Sequence, residues 1–347
     1  MFHSVCRIGF KACVLLIAIV ATAGRASPGA AQELTNIKIS VDYALYGANA
    51  PVWYAQTSGL FRQAGINAVV DGSSGSGDAI NRVAGGAYDA AYADIGTLAE
   101  FWARNPAVAP KLVMVILDRT PQAVVSLKKA GITKLSDLIG RKVGTGQVDA
   151  AGRLFPAVLR INNIPVEQVN RLPLDQRLRD AMLVRGDVDA VVGFDVTVLF
   201  NLIAQKIQPE DTNVLYYADN GFDFYGNGLL VSRNLIEKDP DLVRRLTDAI
   251  AKAFVASTKD TKPVIDALAE RDALANVALE NRRLKWIMEK NVVTPATRAH
   301  GLGAIDLDKF NRGLKTIAEG FELPKVPTAA DIYDDRFLPP IESRRLQ

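Results

Sequence analysis

Val83-Ala84-Gly85-Gly86-Ala87-Tyr88-Asp89-Ala90 returns one hundred residues later, without a gap, as Leu183-Val184-Arg185-Gly186-Asp187-Val188-Asp189-Ala190. Each copy reads as the end of a helix, a glycine turn, an Asp-Ala pair and the start of a buried strand. Upstream, Gln63-Ala64-Gly65-Ile66 is echoed by Ile161-Asn162-Asn163-Ile164, where Gly or Asn suits a left-handed helix terminus. Working outward, Ile37 to Val41 alternates like a strand, and Pro51 opens a helix that ends near Gly59. A strand from Ile66 to Val70, the loop Gly72 to Gly77, a helix from Asp78 to Val83 and a strand from Ala90 to Tyr92 follow. The second copy runs from the strand Val143 to Thr145 through a helix Ala150 to Arg160 and a strand Val169 to Leu172. A further helix then begins behind Asp175 as N-cap. Strands alternating with helices at this pace predict an α/β fold of two similar lobes, each on a mostly parallel sheet.

The apolar run Lys111 to Leu127 carries the chain from the first lobe to the second, and Tyr216 to Val231 brings it back. Beyond that the pattern is helical, over Pro240 to Ser257, Pro263 to Arg271, Leu279 to Lys290 and Leu307 to Glu319. Pro324, Pro327, Pro339 and Pro340 mark an extended tail. The expected division is residues 1–31 as a removable segment, 32–122 plus 226–347 as one lobe, and 123–225 as the other. Two crossings make a hinge, the architecture of a clamp that closes on a ligand.

The first thirty-one residues read as a secretory signal. Arg7 and Lys11 supply its positive end, Ala12 to Ala23 its apolar run, and cleavage is expected after Ala31, with Ala26 as the alternative. The run is too short to span a bilayer. Of 41 basic residues against 38 acidic ones, Arg7, Lys11 and Arg25 leave with the signal, so the mature body is neutral. A neutral body carries no electrostatic footprint for nucleic acid. Cys6, Cys13 and His3 leave too, so the exported chain has no thiol and one histidine, His300. That excludes disulfides, cysteine nucleophiles and Cys/His metal sites. His300 lies in a loop with no acidic partner nearby in sequence.

In open α/β sheets ligands sit beyond the carboxyl ends of the strands. Those ends carry Asp42 to Asn49 with Trp53 a turn further on, the Ser73 to Gly77 loop, Asp94 with Thr97, Gly146 to Asp149, Phe194-Asp195, and Asp219 to Asn227. Aromatics, hydroxyls and amides dominate, a set suited to holding a small polar or aromatic molecule. The Ser/Gly loop lacks the ending of a P-loop and the spacing of a dinucleotide fingerprint. Asp94, Asp149 and Asp195 also stand where helix caps stand, and Tyr43 and Trp53 are equally readable as core aromatics or as stacking platforms.

Ala55-x-x-x-Gly59-x-Phe61-x-x-x-Gly65-Ile66, Gly75-Ser76-Gly77 and Gly86-x-x-Asp89-Ala90-x-x-Ala93-Asp94 together resemble the solute-binding proteins of bacterial ABC importers. The branch is the one that groups nitrate, sulfonate and taurine binders with pyrimidine synthases. Leu135-x-Asp137-Leu138-x-Gly140-x-Lys142-Val143-Gly144 and Tyr333-x-x-Arg336-Phe337-Leu338-Pro339 fit the same family. The resemblance implies a type II periplasmic binding fold with the ligand cleft between two lobes, no cofactor, no metal, and an inner-membrane permease as partner. It implies a monomer working in the periplasm and binding a pyrimidine-like heterocycle or a sulfonate. The family's cleft positions fall on Tyr43, Asn49, Trp53, Ser74, Ser76, Asp94, Gln147 and Asp195. Arg119 and Arg153 are the only cations expected near these loops, which disfavours a bare oxyanion. The alternatives are a pyrimidine-synthase-like enzyme, whose cysteine-rich motif and sacrificial histidine have no counterpart here, and a ligand-sensing module.

Overall fold

A computed structural model describes residues 34–346; the expected signal segment, residues 1–31, lies outside the described residues. The first lobe runs β1 (Thr35–Val41), α1 (Ala50–Thr57), α2 (Leu60–Gln63), β2 (Ile66–Asp71), α3 (Ser76–Ala84), β3 (Ala90–Asp94), α4 (Ile95–Arg104) and β4 (Lys111–Val115). The second runs β5 (Gln122–Leu127), β6 (Lys142–Thr145), α5 (Ala150–Ile161), β7 (Asn170–Pro173), α6 (Gln176–Arg185), β8 (Ala190–Phe194), α7 (Asp195–Ala204) and β9 (Thr212–Tyr216). The chain then returns to the first sheet as β10 (Asn227–Val231).

The two sheets have the same plan, β2-β1-β3-β10-β4 and β7-β6-β8-β5-β9. In each, the first three strands are mutually parallel. The antiparallel member is the strand that a crossing delivers, β10 in one sheet and β5 in the other. The internal repeat is legible in hydrogen bonds. Asp89 accepts from the Lys38 amide at 2.8 Å and Asp189 from the Lys142 amide at 2.8 Å. The amides of both aspartates return bonds to Lys38 and Lys142. Gly86, Gly186, Gly65 and Asn163 all have positive φ, so the paired glycine and asparagine turns are backbone requirements of the fold.

Residues 116–121 and 217–226 are the two crossings between the sheets, where the sequence places the hinge. They hydrogen-bond to each other, with Gly226 N–H donating to Leu117 O at 2.9 Å and Thr120 N–H to Phe224 O at 3.1 Å. The C-terminal helices are α8 (Arg233–Lys238), α9 (Pro240–Lys259), α10 (Lys262–Arg271), α11 (Val277–Ile287), α12 (Pro295–His300) and α13 (Leu307–Gly320). Helix α11 runs on as one π-helical turn, Met288–Val292. Helix α13 packs against both α4 and α5, and so lies across the two lobes behind the hinge. The tail is not simply extended: Tyr333 bridges to Leu112, which docks it on the edge of the first sheet. His300 ends a helix rather than lying in a loop, and it is exposed. No helix among the described residues is long and apolar enough to cross a membrane.

Candidate functional site

Two cavities lie between the lobes, where strand ends and helix N-termini of both converge. The outer one, of about 460 Å³, is lined by Tyr43, Ser73 and Ser74 from the first lobe and Gln147, Gln176 and Arg177 from the second. Behind it an inner chamber of about 30 Å³ is lined by Asp42, Tyr46 and Ser76 opposite Asp149, Arg179 and Thr197. Tyr43, Asp149 and Gln176 belong to both.

The chamber's polar groups are held from behind. Asp42 accepts from Asn49 Nδ2 at 3.3 Å and Asn227 Nδ2 at 2.7 Å, while Asn49 also anchors Ala44 O and the Tyr46 amide. Burial pushes the Asp42 carboxyl up to about 6, against the pull of these two amides. Asp149 caps α5, accepting from Gly152 N at 2.7 Å, and burial raises its carboxyl as well. Its second oxygen, Oδ2, is buried without a hydrogen-bond partner. Arg179 is 1% exposed; its Nε donates to Asp180 at 2.9 Å and its Nη1 to Val192 O at 2.8 Å.

Of the residues named from sequence, the structure brings Tyr43, Ser74, Ser76 and Gln147 to the cavity walls. Asn49 stands one layer back and orients Asp42. Trp53 is a core residue, 4% exposed, with the Arg271 guanidinium 4.0 Å above its ring. Asp94 lines neither cavity. It caps α4, accepting from Thr97 N at 2.7 Å and Thr97 Oγ1 at 2.8 Å, with Gln122 Nε2 at 2.9 Å on its other oxygen. Asp195 faces a separate cavity of about 170 Å³ beside the hinge, with Arg119, Tyr216, Trp286 and Lys290. Its Oδ2 accepts from Tyr216 OH and Trp286 Nε1, both at 2.9 Å.

The expectation that only Arg119 and Arg153 approach the cleft is corrected. Arg177 and Arg179 line it, whereas Arg153 is ion-paired to Glu100 and Arg119 belongs to the hinge-side cavity. Listing only the residues just past each strand missed Gln176 and Arg179. These sit three residues apart on α6, on one helical face behind the Asp175 cap, and that spacing was the available signal.

Contacts across the two lobes occur on both flanks of the cavities. On one, Gly77 N–H donates to Val148 O at 2.9 Å beside the Glu100–Arg153 pair. On the other, Trp286 reaches Asp195, and Arg283 donates to Val196 O at 3.1 Å and Asn201 Oδ1 at 3.2 Å.

Asp94 gives a pH prediction. Burial raises its carboxyl to about 7, so the fold binds a proton there that the unfolded chain has released. Stability from this site is therefore full below about pH 4 and is lost as pH rises through about 7, by up to about 4 kcal/mol. Asp94→Asn keeps an oxygen for the Thr97 cap and lets the new amide meet Gln122, whose Oε1 has no partner. Urea unfolding at pH 5 and pH 8 is expected to show a smaller loss of stability for the variant than for the parent. An equal or larger loss would place the pH dependence elsewhere.

A family model described as NMT1/THI5 like matches residues 48–262. The riboflavin-binding protein RibY of Chloroflexus aurantiacus is 23% identical over 256 residues, covering 73% of this chain and 68% of that protein. Among solved structures, the alkanesulfonate-binding protein SsuA of Xanthomonas axonopodis pv. citri, bound to MOPS, is similar with a TM-score of 0.65 and 16% identity. The match covers 87% of this chain and 99% of that one. The desulfurization enzyme DszB, as its C27S mutant with biphenyl-2-sulfinic acid, has a TM-score of 0.56 at 15% identity over 88% of this chain and 98% of that one. At these identities the structural matches establish the periplasmic binding protein fold, and DszB shows that the fold also carries catalysis.

Proposed function

The chain belongs to the NMT1/THI5-like family, and on that premise we propose that it is the periplasmic solute-binding component of an ABC importer. It captures a small polar or aromatic organic molecule and presents the closed form to a permease in the inner membrane. The observation that carries this reading is a pair of cavities walled by both lobes, with interlobe bonds on either flank. A ligand between the lobes adds contacts that exist only when they are closed, and so raises the population of that state. The groups proposed to hold it are Tyr43, Ser74, Ser76 and Gln147, joined by Asp42, Asp149, Gln176 and Arg179. Tyr43, which lines both cavities, is the group proposed to stack on a flat ring.

These are groups that hold by hydrogen bond, charge and stacking, and the proposed role is binding without covalent chemistry, as a monomer and without nucleic acid. RibY widens the ligand candidates from pyrimidine-like heterocycles and sulfonates to flavins. The test is native mass spectrometry of the protein taken from the periplasm without dialysis, followed by melting curves with the candidates. One small molecule per chain, and a melting temperature that rises with its concentration, are expected. Conversion of the molecule to a product on incubation, or an empty protein indifferent to every candidate, would defeat the reading.

A further inference from the structure

The inner chamber is small and carries unbalanced negative charge. Its volume of about 30 Å³ accommodates about two water-sized groups. The acidic groups in its wall favour a donor head, an amine, an amide nitrogen or a hydroxyl, over the three oxygens of a sulfonate. The one guanidinium in its wall, Arg179, is matched by Asp180, buried at its back with an N–O separation of 2.9 Å. Asp42 accepts from the neutral amides of Asn49 and Asn227, and Asp149 from neutral amides, Gly152 N–H the best placed, so the donors that meet both carboxyls are uncharged. Three carboxylates thus share one cation. At the outer mouth the Arg177 charge is likewise taken up, by Asp175 at 3.0 Å.

We propose that the inner chamber selects a ligand whose buried end is a hydrogen-bond donor head without negative charge, an amine, ring N–H or hydroxyl, and excludes oxyanion heads such as sulfonate. The ligand's larger body then lies in the outer cavity against Tyr43. This rests on the binding role proposed above and names the ligand class for the same site. It separates this chain from its alkanesulfonate-binding structural neighbour, with which it shares a fold at 16% identity. Like charges brought together away from water repel by far more than they do in solvent, so the discrimination is electrostatic.

Calorimetric titration of the protein with cytosine and riboflavin, which present donors, and with MOPS and ethanesulfonate, which present the oxyanion, tests the proposal. The donor probes are expected to bind at least 100-fold more tightly than the sulfonates. In Asp42→Asn/Asp149→Asn, which keeps shape and removes charge, the gap is expected to narrow at least tenfold. Tighter binding of a sulfonate by the parent protein overturns the proposal while leaving the binding role intact. Where no probe binds, the molecule carried by the native protein decides through its formula: an amine, amide or polyol supports the proposal, and a sulfonate or phosphonate overturns it. A protein that carries nothing and binds no probe defeats the binding role itself and the proposal with it. The native measurement on the parent protein stands even if the double variant fails to fold.

Discussion

Gly77→Val is expected to weaken ligand binding by about tenfold to 100-fold while leaving the fold of each lobe intact. Gly77 is the second residue of α3, and its N–H makes the bond to Val148 O that joins the lobes. A Cβ at this position would stand 3.0 Å from Val148 O and 3.2 Å from Arg153 Cδ. The further methyl groups of valine therefore enter the other lobe, not the core of its own. Overpacking a closed interface costs about 1–3 kcal/mol. Because the cost falls only on the closed state, it appears as lost affinity and faster ligand release, with little change in melting temperature without ligand. Gly75 is a poorer choice, since its φ of +148° would add backbone strain to the clash at 2.5 Å with Val148 O. Calorimetry and small-angle scattering check the result. Unchanged affinity would mean that ligand capture does not need this flank to close, and an unfolded variant would mean that the contact belongs to the core.

That contact also explains how far the sequence could be read. The Gly72 to Gly77 loop is legible as a glycine-rich turn, and its composition invites comparison with anion-binding loops. Its use is different: Gly75 and Gly77 are small because the other lobe's backbone passes against them. Such a requirement comes from residues some seventy positions away and leaves no local pattern. The repeated Gly-x-x-Asp-Ala units, by contrast, are legible because glycine at positive φ and an aspartate bracketing the neighbouring strand are local demands. The site divides in the same way. Tyr43, Ser74, Ser76 and Gln147 lie directly past strand ends, where strand periodicity places them. Asp94 and Asp195 occupy equivalent positions, yet the first is consumed by the Thr97 cap and Gln122, and the second by Tyr216 and Trp286. Which aspartates remain available depends on partners brought in by tertiary structure. Arg179 shows the reverse case, a helix cation with no local signal of its own that the fold buries in the chamber wall.

Arg179→Met is expected to cost about 3–5 kcal/mol of folding stability, the typical loss when one partner of a buried ion pair is removed. Both partners are enclosed, with Arg179 at 1% and Asp180 at 3% exposure. Removing the guanidinium leaves the Asp180 carboxylate with Asn201 Nδ2, at 2.7 Å, as its donor, and deprives Val192 O of its bond. Adding Asp180→Asn should recover most of the loss, because the substituted amide can still engage Asn201 and the Asp180 charge is removed together with its partner. Urea titration of the parent, the single and the double variant measures the coupling directly. Equal losses in the single and the double variant would assign the cost to packing and to Val192 rather than to charge. The same pair bears on ligand choice. Removing Arg179 and the charge of Asp180 together deletes one cation and one anion, so the excess negative charge from Asp42 and Asp149 is preserved. If that excess governs recognition, the double variant keeps the preference for donor heads over sulfonates even where its absolute affinity falls. A preference that disappeared with Arg179 would make the guanidinium, not the carboxylates, the group that reads the ligand.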